Sequence, residues 1–467
     1  MSIPTTKVWQ KDYTLDDLAS RYTAGEEVGL DNRLVEADVW GSMAHARMLA
    51  SIGILTAEET ADLLAGLARI LDLYSAGQFV VTPADEDVHT KVENYLTATV
   101  GEAGKKIHTA RSRNDQVLVD LRLWAKGALL DMMGALLEAV RVFTAFAERE
   151  KWTPMPGHTH MQRAMPSSVG TWAGAFAESL LDDLALFKTA YHLNDQNPLG
   201  SAASYGVNLP IDRQMTTDLL GFAKVQNNVL YTQNARGKFE SVCVQALAQV
   251  MLDLSKFAQD MMLYLTQEYN FFRLNETMAT GSSIMPQKRN PDIMELVRAR
   301  AHTVFAAQTQ LFGVLSGLPS GYNTDFGETK GPTMRAFAVT TDALAICGHT
   351  LMLTTVNEEA TRAASTPELY ATDMAYALVM EGMPFRDAYR QIARVAQDLP
   401  AVDVDAALRE RTHLGTAGNL GLDRLASRIE AEQAVVQSWR QTFTGAIGAL
   451  VAQARAGGDD PGKDTSQ

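Results

Sequence analysis

The sequence predicts an all-α protein, a long-helix bundle in three subdomains, and three observations carry that expectation. From Lys238 to Tyr269 the apolar positions Cys243, Leu247, Val250, Leu254, Phe257, Met261 and Tyr264 alternate spacings of four and three. That is a heptad seam, which packs lengthwise on other helices. Proline-free runs are also long: none occurs between Pro210 and Pro286, and the run from Gln116 to Glu150 would span ~50 Å as helix. Strand signals are weak, with Gln78-Phe79-Val80-Val81-Thr82 the only short candidate. Helices this long, apolar on more than one face, bury surface against other copies of the chain, so a homo-oligomer is expected.

Composition narrows the function classes. The chain has 467 residues, 46% hydrophobic and 21% charged, which is globular and enough for a large core. A net charge of -14 argues against nucleic acid as the main partner but leaves a small anionic substrate open. Cys243 and Cys347 lie in apolar helical stretches without a ligand-spaced partner, so neither a disulfide nor a zinc site is expected and a reducing cytosol fits best. Met1 to Asp12 has no apolar leader core, and no window approaches a membrane span.

In chain order, an N-terminal helical part (1–110) precedes a central long-helix bundle (111–362) and a C-terminal helical part (363–467). The tail from Ala454 to Gln467, rich in Gly, Asp, Lys and Ser, is expected to be disordered. Lys105-Lys106-Ile107-His108-Thr109-Ala110-Arg111-Ser112-Arg113-Asn114-Asp115 concentrates cations ahead of the first long helix. Its two arginine forks could each take a carboxylate, or the run is a solvated basic face. Met155-Pro156-Gly157-His158-Thr159-His160-Met161-Gln162-Arg163 is a turn with two histidines at i and i+2, suited to catalysis or to hydrogen-bonded structure. Ser167 to Leu193 reads as the next helix, followed later by the seam helix.

Thr280-Gly281-Ser282-Ser283-Ile284-Met285-Pro286-Gln287-Lys288-Arg289-Asn290-Pro291-Asp292 puts two hydroxyls, a lysine and an amide on one loop. Asn290-Pro291 reads as an N-cap followed by the first helical position, so the helix running from Pro291 to Leu315 would aim its positive end at the loop. A serine beside a lysine and free amides can have its alkoxide stabilised, as a base for a weak carbon acid requires. Lys288 can pair with a substrate carboxylate, and Asn290 can bond to it. The plainer reading is a flexible connector. Ser320-Gly321-Tyr322-Asn323-Thr324-Asp325-Phe326-Gly327-Glu328-Thr329-Lys330 is the fourth polar connector, ahead of a helix from Pro332 to Asn357.

Four such connectors, in this order between long helices, resemble the aspartase/fumarase superfamily and, within it, the argininosuccinate lyases. The Gly-Ser-Ser-Ile-Met-Pro-Gln-Lys-Arg-Asn-Pro-Asp loop resembles the superfamily signature, and Lys-Ile-His-Thr-Ala-Arg-Ser-Arg-Asn-Asp-Gln and Gly-His-Thr-His-Met-Gln-Arg-Ala-Met-Pro resemble family blocks. The stretch from Asp31 to Leu49, with Asp38 and Ala44-His45-Ala46, is similar too. The resemblance implies cytoplasmic β-elimination without a cofactor, splitting argininosuccinate into arginine and fumarate for arginine biosynthesis. It also implies a homotetramer with a central helical bundle, each site taking residues from three subunits. By position in the motifs, Ser282 matches the catalytic base, His160 its acid–base partner and Glu295 the carboxylate that orients that histidine. Lys288, Asn290, Asn114 and Thr159 match residues that hold the succinyl part, and Ser112, Arg113, Gln162, Ser283, Met285, Tyr322 and Lys330 complete the substrate-binding set.

The fourth connector departs from the family pattern. Where argininosuccinate lyases usually read Tyr-Asn-Arg-Asp-Leu-Gln-Glu-x-Lys, this chain has Thr324 for the arginine and Gly327 for the glutamine, and Glu26-Glu27 stand where a substrate-contacting serine often lies. Two other readings therefore stay open: a carbon–nitrogen lyase acting on a different N-substituted aspartate, and a non-catalytic relative like the lens crystallins of this family.

Overall fold

Side-chain caps and apolar faces decide where the long helices begin and how they stack. The computed structural model describes residues 16–396 and 398–456; Met1 to Asp12 and the tail beyond Ala456 lie outside the described residues. Helix accounts for 67% of the chain, and the few strands are short two-stranded pieces, so the all-α expectation holds. Helix Arg113–Arg149 starts three residues before the expected Gln116 because Ser112 and Asp115 close a capping box over its first turn. At 37 residues it is ~55 Å long. Helices Val169–Asn194 and Lys330–Met352 pack along it, Lys238–Tyr264 packs on both of these, and Asp292–Leu315 packs on Lys238–Tyr264 and Lys330–Met352.

The heptad seam sits in the core: Cys243, Leu247, Val250, Leu254, Phe257 and Met261 are buried, and Phe143, Trp172 and Phe176 close round Phe257 at ring-centroid distances of 4.9, 5.7 and 5.5 Å. A single apolar core runs from Leu34 to Ala454, with a small second one at Leu369, Tyr370 and Ala407. The last helix, Leu422–Ala456, packs back on Arg113–Arg149, and Trp439 stacks on Tyr191 at 4.8 Å. Ala454 to Ala456, expected in a disordered tail, are therefore helical. Cys243 and Cys347 are free and buried.

Several boundaries differ from the expectations, each for a local reason. Gln78 to Thr82 is extended but is no strand: Asn32 takes its place as partner, accepting from Val81 N–H at 2.8 Å and donating to Val81 C=O at 3.0 Å. The seam helix stops at Tyr264 rather than Tyr269, because Asn270 adopts a φ of 50° and Phe271 N–H returns to Tyr264 C=O. The freed Phe272–Leu274 then pairs antiparallel with Thr354–Val356, which also ends the helix expected to reach Asn357 at Met352. Pro291 is itself the N-cap position of helix Asp292–Leu315, and no side chain caps it. Asn290 instead sits on a two-residue strand and donates to Thr280 Oγ1 and Gly281 C=O at 3.4 Å. No helix among the described residues is long and apolar enough to cross a membrane.

Candidate active site

The signature loop is closed at its base and open at its tip. Thr280 pairs with Asn290 and Gly281 with Arg289, Thr280 Oγ1 donates to the Asp292 carboxylate, and Arg289 bridges to Glu276 at 2.7 Å. Between these anchors Ser282 is half-buried, while Ser283, Met285 and Lys288 are exposed. Ser282 Oγ accepts hydrogen bonds from Met285 N–H at 3.1 Å and Ile284 N–H at 3.3 Å. Both donors stabilise negative charge on that oxygen, which is what a serine acting as a base needs. Lys288 has no carboxylate partner among the described residues, and its backbone N–H closes the turn on Met285 C=O at 3.0 Å.

The histidine pair stands on a hairpin, where the sequence predicts only a turn. Strands Pro154–Thr159 and Gln162–Ser168 pair antiparallel, with a bulge between Gly157 and His158. His160 and Met161 form the two-residue tip with φ of 53° and 62°, the left-handed geometry of a type I′ turn. Thr159, His160 and Gln162 are thus presented to solvent at its end. The base is fixed where Gly170 lets helix Val169–Asn194 touch the preceding chain, since a Cβ there would come within 2.5 Å of Lys151 Cα and 2.6 Å of Ala147 C=O. Gly170→Ala should therefore misplace the hairpin as well as loosen the fold, lowering thermal stability and fumarate release together; unchanged melting would show that the two helices can part.

The basic block divides its residues between structure and surface. Ser112 Oγ accepts from Asn114 N–H at 3.3 Å as the cap, and Asp115 accepts from Gly200 and Ala202 N–H at 3.0 and 2.9 Å, tying that loop to the helix start. Arg113 is committed to Asp87 and to Glu86, whereas the Asn114 side chain makes no hydrogen bond among the described residues. Just upstream, His45 donates from Nε2 to Thr109 C=O at 2.9 Å. Burial, with Arg111 nearby, lowers its pKa to about 3. The native ring is therefore neutral while the unfolded chain protonates near pH 6.5, so stability is full above that pH and drains away as pH falls toward 3. His45→Gln should flatten the fall in melting temperature between pH 6.5 and 5; an unaltered slope would mean that other groups set it.

The fourth connector is split in the same way. Lys330 is 3% exposed and pairs with the equally buried Asp31 at 2.5 Å, and Asp31 also accepts from Val88 N–H at 3.1 Å. Tyr322 faces outward into a cavity of about 530 Å³ shared with Tyr22, Glu26, Thr324, Gly327 and Arg335. The chain thus brings Tyr322 and the two departing positions, Thr324 and Gly327, to one cavity beside the N-terminal segment.

No hydrogen bond or ion pair among the described residues joins the signature loop, the hairpin tip and the Ser112–Asn114 turn, and exposed Glu295 makes none with His160. Sequence reasoning also missed the buried groups behind these clusters, His89, Asp120 and the pairing of Asp31. The acidic run from Asp85 to Asp87 before His89 was their only local signal.

The sequence model of the family described as Lyase matches residues 14–306, and that described as Argininosuccinate lyase C-terminal matches residues 368–417. The argininosuccinate lyase of Sorangium cellulosum is 43% identical over 426 residues, covering 91% of this chain and 99% of the relative. That of Thermotoga neapolitana is 42% identical, covering 83% and 97%. In three dimensions, an EDDS lyase in complex with formate superposes with a TM-score of 0.80 at 23% identity, covering 96% of this chain and all of that one. The class II fumarase of Schistosoma mansoni gives 0.69 at 14% identity, covering 80% and 88%. These two likenesses establish the shared fold. With the motifs in place on that fold and relatives of this similarity along nearly its whole length, the chain belongs to the argininosuccinate lyase family of the aspartase/fumarase superfamily.

Proposed function

We propose that this protein catalyses the reversible β-elimination of argininosuccinate to arginine and fumarate, with Ser282 as the base. The observation that carries the reading is the pair of backbone amides, Ile284 and Met285, aimed at Ser282 Oγ. Ser282 takes the proton from the carbon next to the departing nitrogen's carbon. The electron pair moves into the neighbouring carboxylate to give an aci-carboxylate, which Lys288, Asn290, Thr159 and Asn114 stabilise as preorganised donors. The C–N bond then breaks, and the leaving guanidino nitrogen receives a proton by way of His160, oriented by Glu295. This chemistry asks for no cofactor.

No hydrogen bond or ion pair among the described residues joins these groups, which supports a site completed by other copies, supplied in a homotetramer with a central helical bundle. Exposed apolar side chains on the bundle helices, Leu252, Leu296 and Phe312, support that assembly. Two free, buried thiols support a cytoplasmic setting. The direct test is fumarate release from argininosuccinate by the purified protein, read in the ultraviolet, with arginine formed in equal amount. No fumarate from argininosuccinate would reject the reading.

The open cavity at Tyr322 favours a second reading for the amine half. Gly327 and Thr324 leave space and remove up to three or four hydrogen bonds, each worth ~1 kcal/mol net, where the family pattern has glutamine and arginine. A lyase for another N-substituted aspartate would release fumarate faster from that substrate. Under the first reading, Gly327→Gln lowers KM for argininosuccinate by about tenfold or less; a rise in KM would favour the second.

A further inference from the structure

A buried acidic knot lies between helices Val35–Ser51, Val88–Val100 and Arg113–Arg149, and the elimination chemistry above does not use it. Asp38, His89 and Asp120 are 1%, 4% and 0% exposed. His89 Nδ1 stands 2.5 Å from Asp38 Oδ2 and 3.6 Å from Asp120 Oδ2, and Gln116 Nε2 donates to Asp38 Oδ2 at 3.3 Å. Asp38, His89 and Asp120 each bring one polar atom within 4.8 Å of the other two, and among the described residues no donor reaches Asp38 Oδ1 or either oxygen of Asp120. Two carboxylates this close in a buried site, with one imidazole N–H to serve both, favour keeping a proton on one of them.

We propose that Asp120 and Asp38 share one proton, carried by Asp120 and donated to Asp38, and that this acid–carboxylate–imidazolium chain positions the first turn of helix Arg113–Arg149. Asp38 is the ionised member because it already accepts from His89 and Gln116. The charged groups facing the knot are consistent with a single proton: Arg111 from the segment ahead of the helix, Asp31 held by Lys330, Asp87 held by Arg113, and Glu93 on the His89 helix. The mechanical link is short. Gln116 sits two residues beyond Asn114, and Asp87, which caps the His89 helix through Thr90 N–H at 2.8 Å, is the partner of Arg113. The knot therefore holds in register Asn114, the residue of the block that the proposed reaction uses, and this part rests on that reading. A divalent cation would use the same three residues, but 2.5 Å is hydrogen-bond length, shorter than the roughly 3 Å between neighbouring ligands of a ~2.1 Å octahedral ion.

The test compares Asp120→Asn and Asp38→Asn in the full-length oligomer by thermal unfolding from pH 5 to 9 and by KM and kcat for fumarate release. The native fold keeps a proton that the unfolded chain has already released, so native stability falls as pH rises above the ordinary carboxylate range. An amide at position 120 still donates to Asp38 and cannot ionise. Asp120→Asn should melt at or above the native temperature, with an advantage that grows from pH 5 to pH 9, and keep KM within about twofold. Asp38→Asn should melt lower at every pH and raise KM about tenfold with a smaller change in kcat. Loss of stability in Asp120→Asn that worsens with pH would overturn the shared proton, making Asp120 an ionised acceptor for Arg111. Stoichiometric manganese or zinc in the purified protein, absent from Asp120→Asn, would replace the proton with a metal. If Asp38→Asn left KM unchanged, the positioning role would fail, whatever the melting curves showed. The melting arm does not depend on the substrate, so failure of the proposed reaction is distinguishable from failure of the knot.

Discussion

Ser282→Ala should lower kcat for fumarate release from argininosuccinate by about 10³-fold, while KM changes little and the melting temperature stays native. The size follows from the carbon acid, which is too weak for water to deprotonate at a useful rate and depends on a positioned base. Stability is spared because every bond to the Ser282 side chain is local, from Ile284 and Met285 N–H in the same exposed loop. Lys288→Met gives the contrasting result, a raised KM, since an exposed ammonium without an internal partner is free to meet a substrate carboxylate. Equal losses in both variants at unchanged KM would show that the loop acts only as a lid and that the proton is taken elsewhere.

Lys330→Met should destabilise the fold by about 3–5 kcal/mol, the cost of leaving a buried carboxylate without its cation. Asp31 then keeps its bond from Val88 N–H but loses the buried cation paired with it. Asp31→Asn combined with Lys330→Met should recover most of the loss, because both charges go together. Thermal or denaturant unfolding of the two single variants and the double variant measures this. A native melting temperature in Lys330→Met with a higher KM would show that Lys330 serves the substrate, as the family motif implies, and not the fold.

What the sequence made legible depended on range. The seam residues from Cys243 to Met261 repeat within one helix, so their burial could be read from spacing alone. The hairpin could not, because Pro154, Pro156, Gly157 and Pro166 look like turn residues and the tip uses His160-Met161 in place of Asn-Gly. Asn270 shows the converse: absence of proline did not keep a helix going once one residue entered left-handed backbone. At the site, residue types on the signature loop suggested a chemistry, and the amides on Ser282 follow from a turn only four residues long. Lys330 and Asp31 are 299 positions apart, and Asp38, His89 and Asp120 come from three helices, so no local pattern could reveal either grouping.

The proposed reaction needs Ser282 and His160 in one site, each supplied by a different copy of the chain. Ser282→Ala and His160→Asn proteins, each inactive alone, should regain fumarate release when unfolded together and refolded as mixed oligomers, because some sites then receive both native residues. Mixed oligomers that refold to the native mass and stay silent would contradict the account.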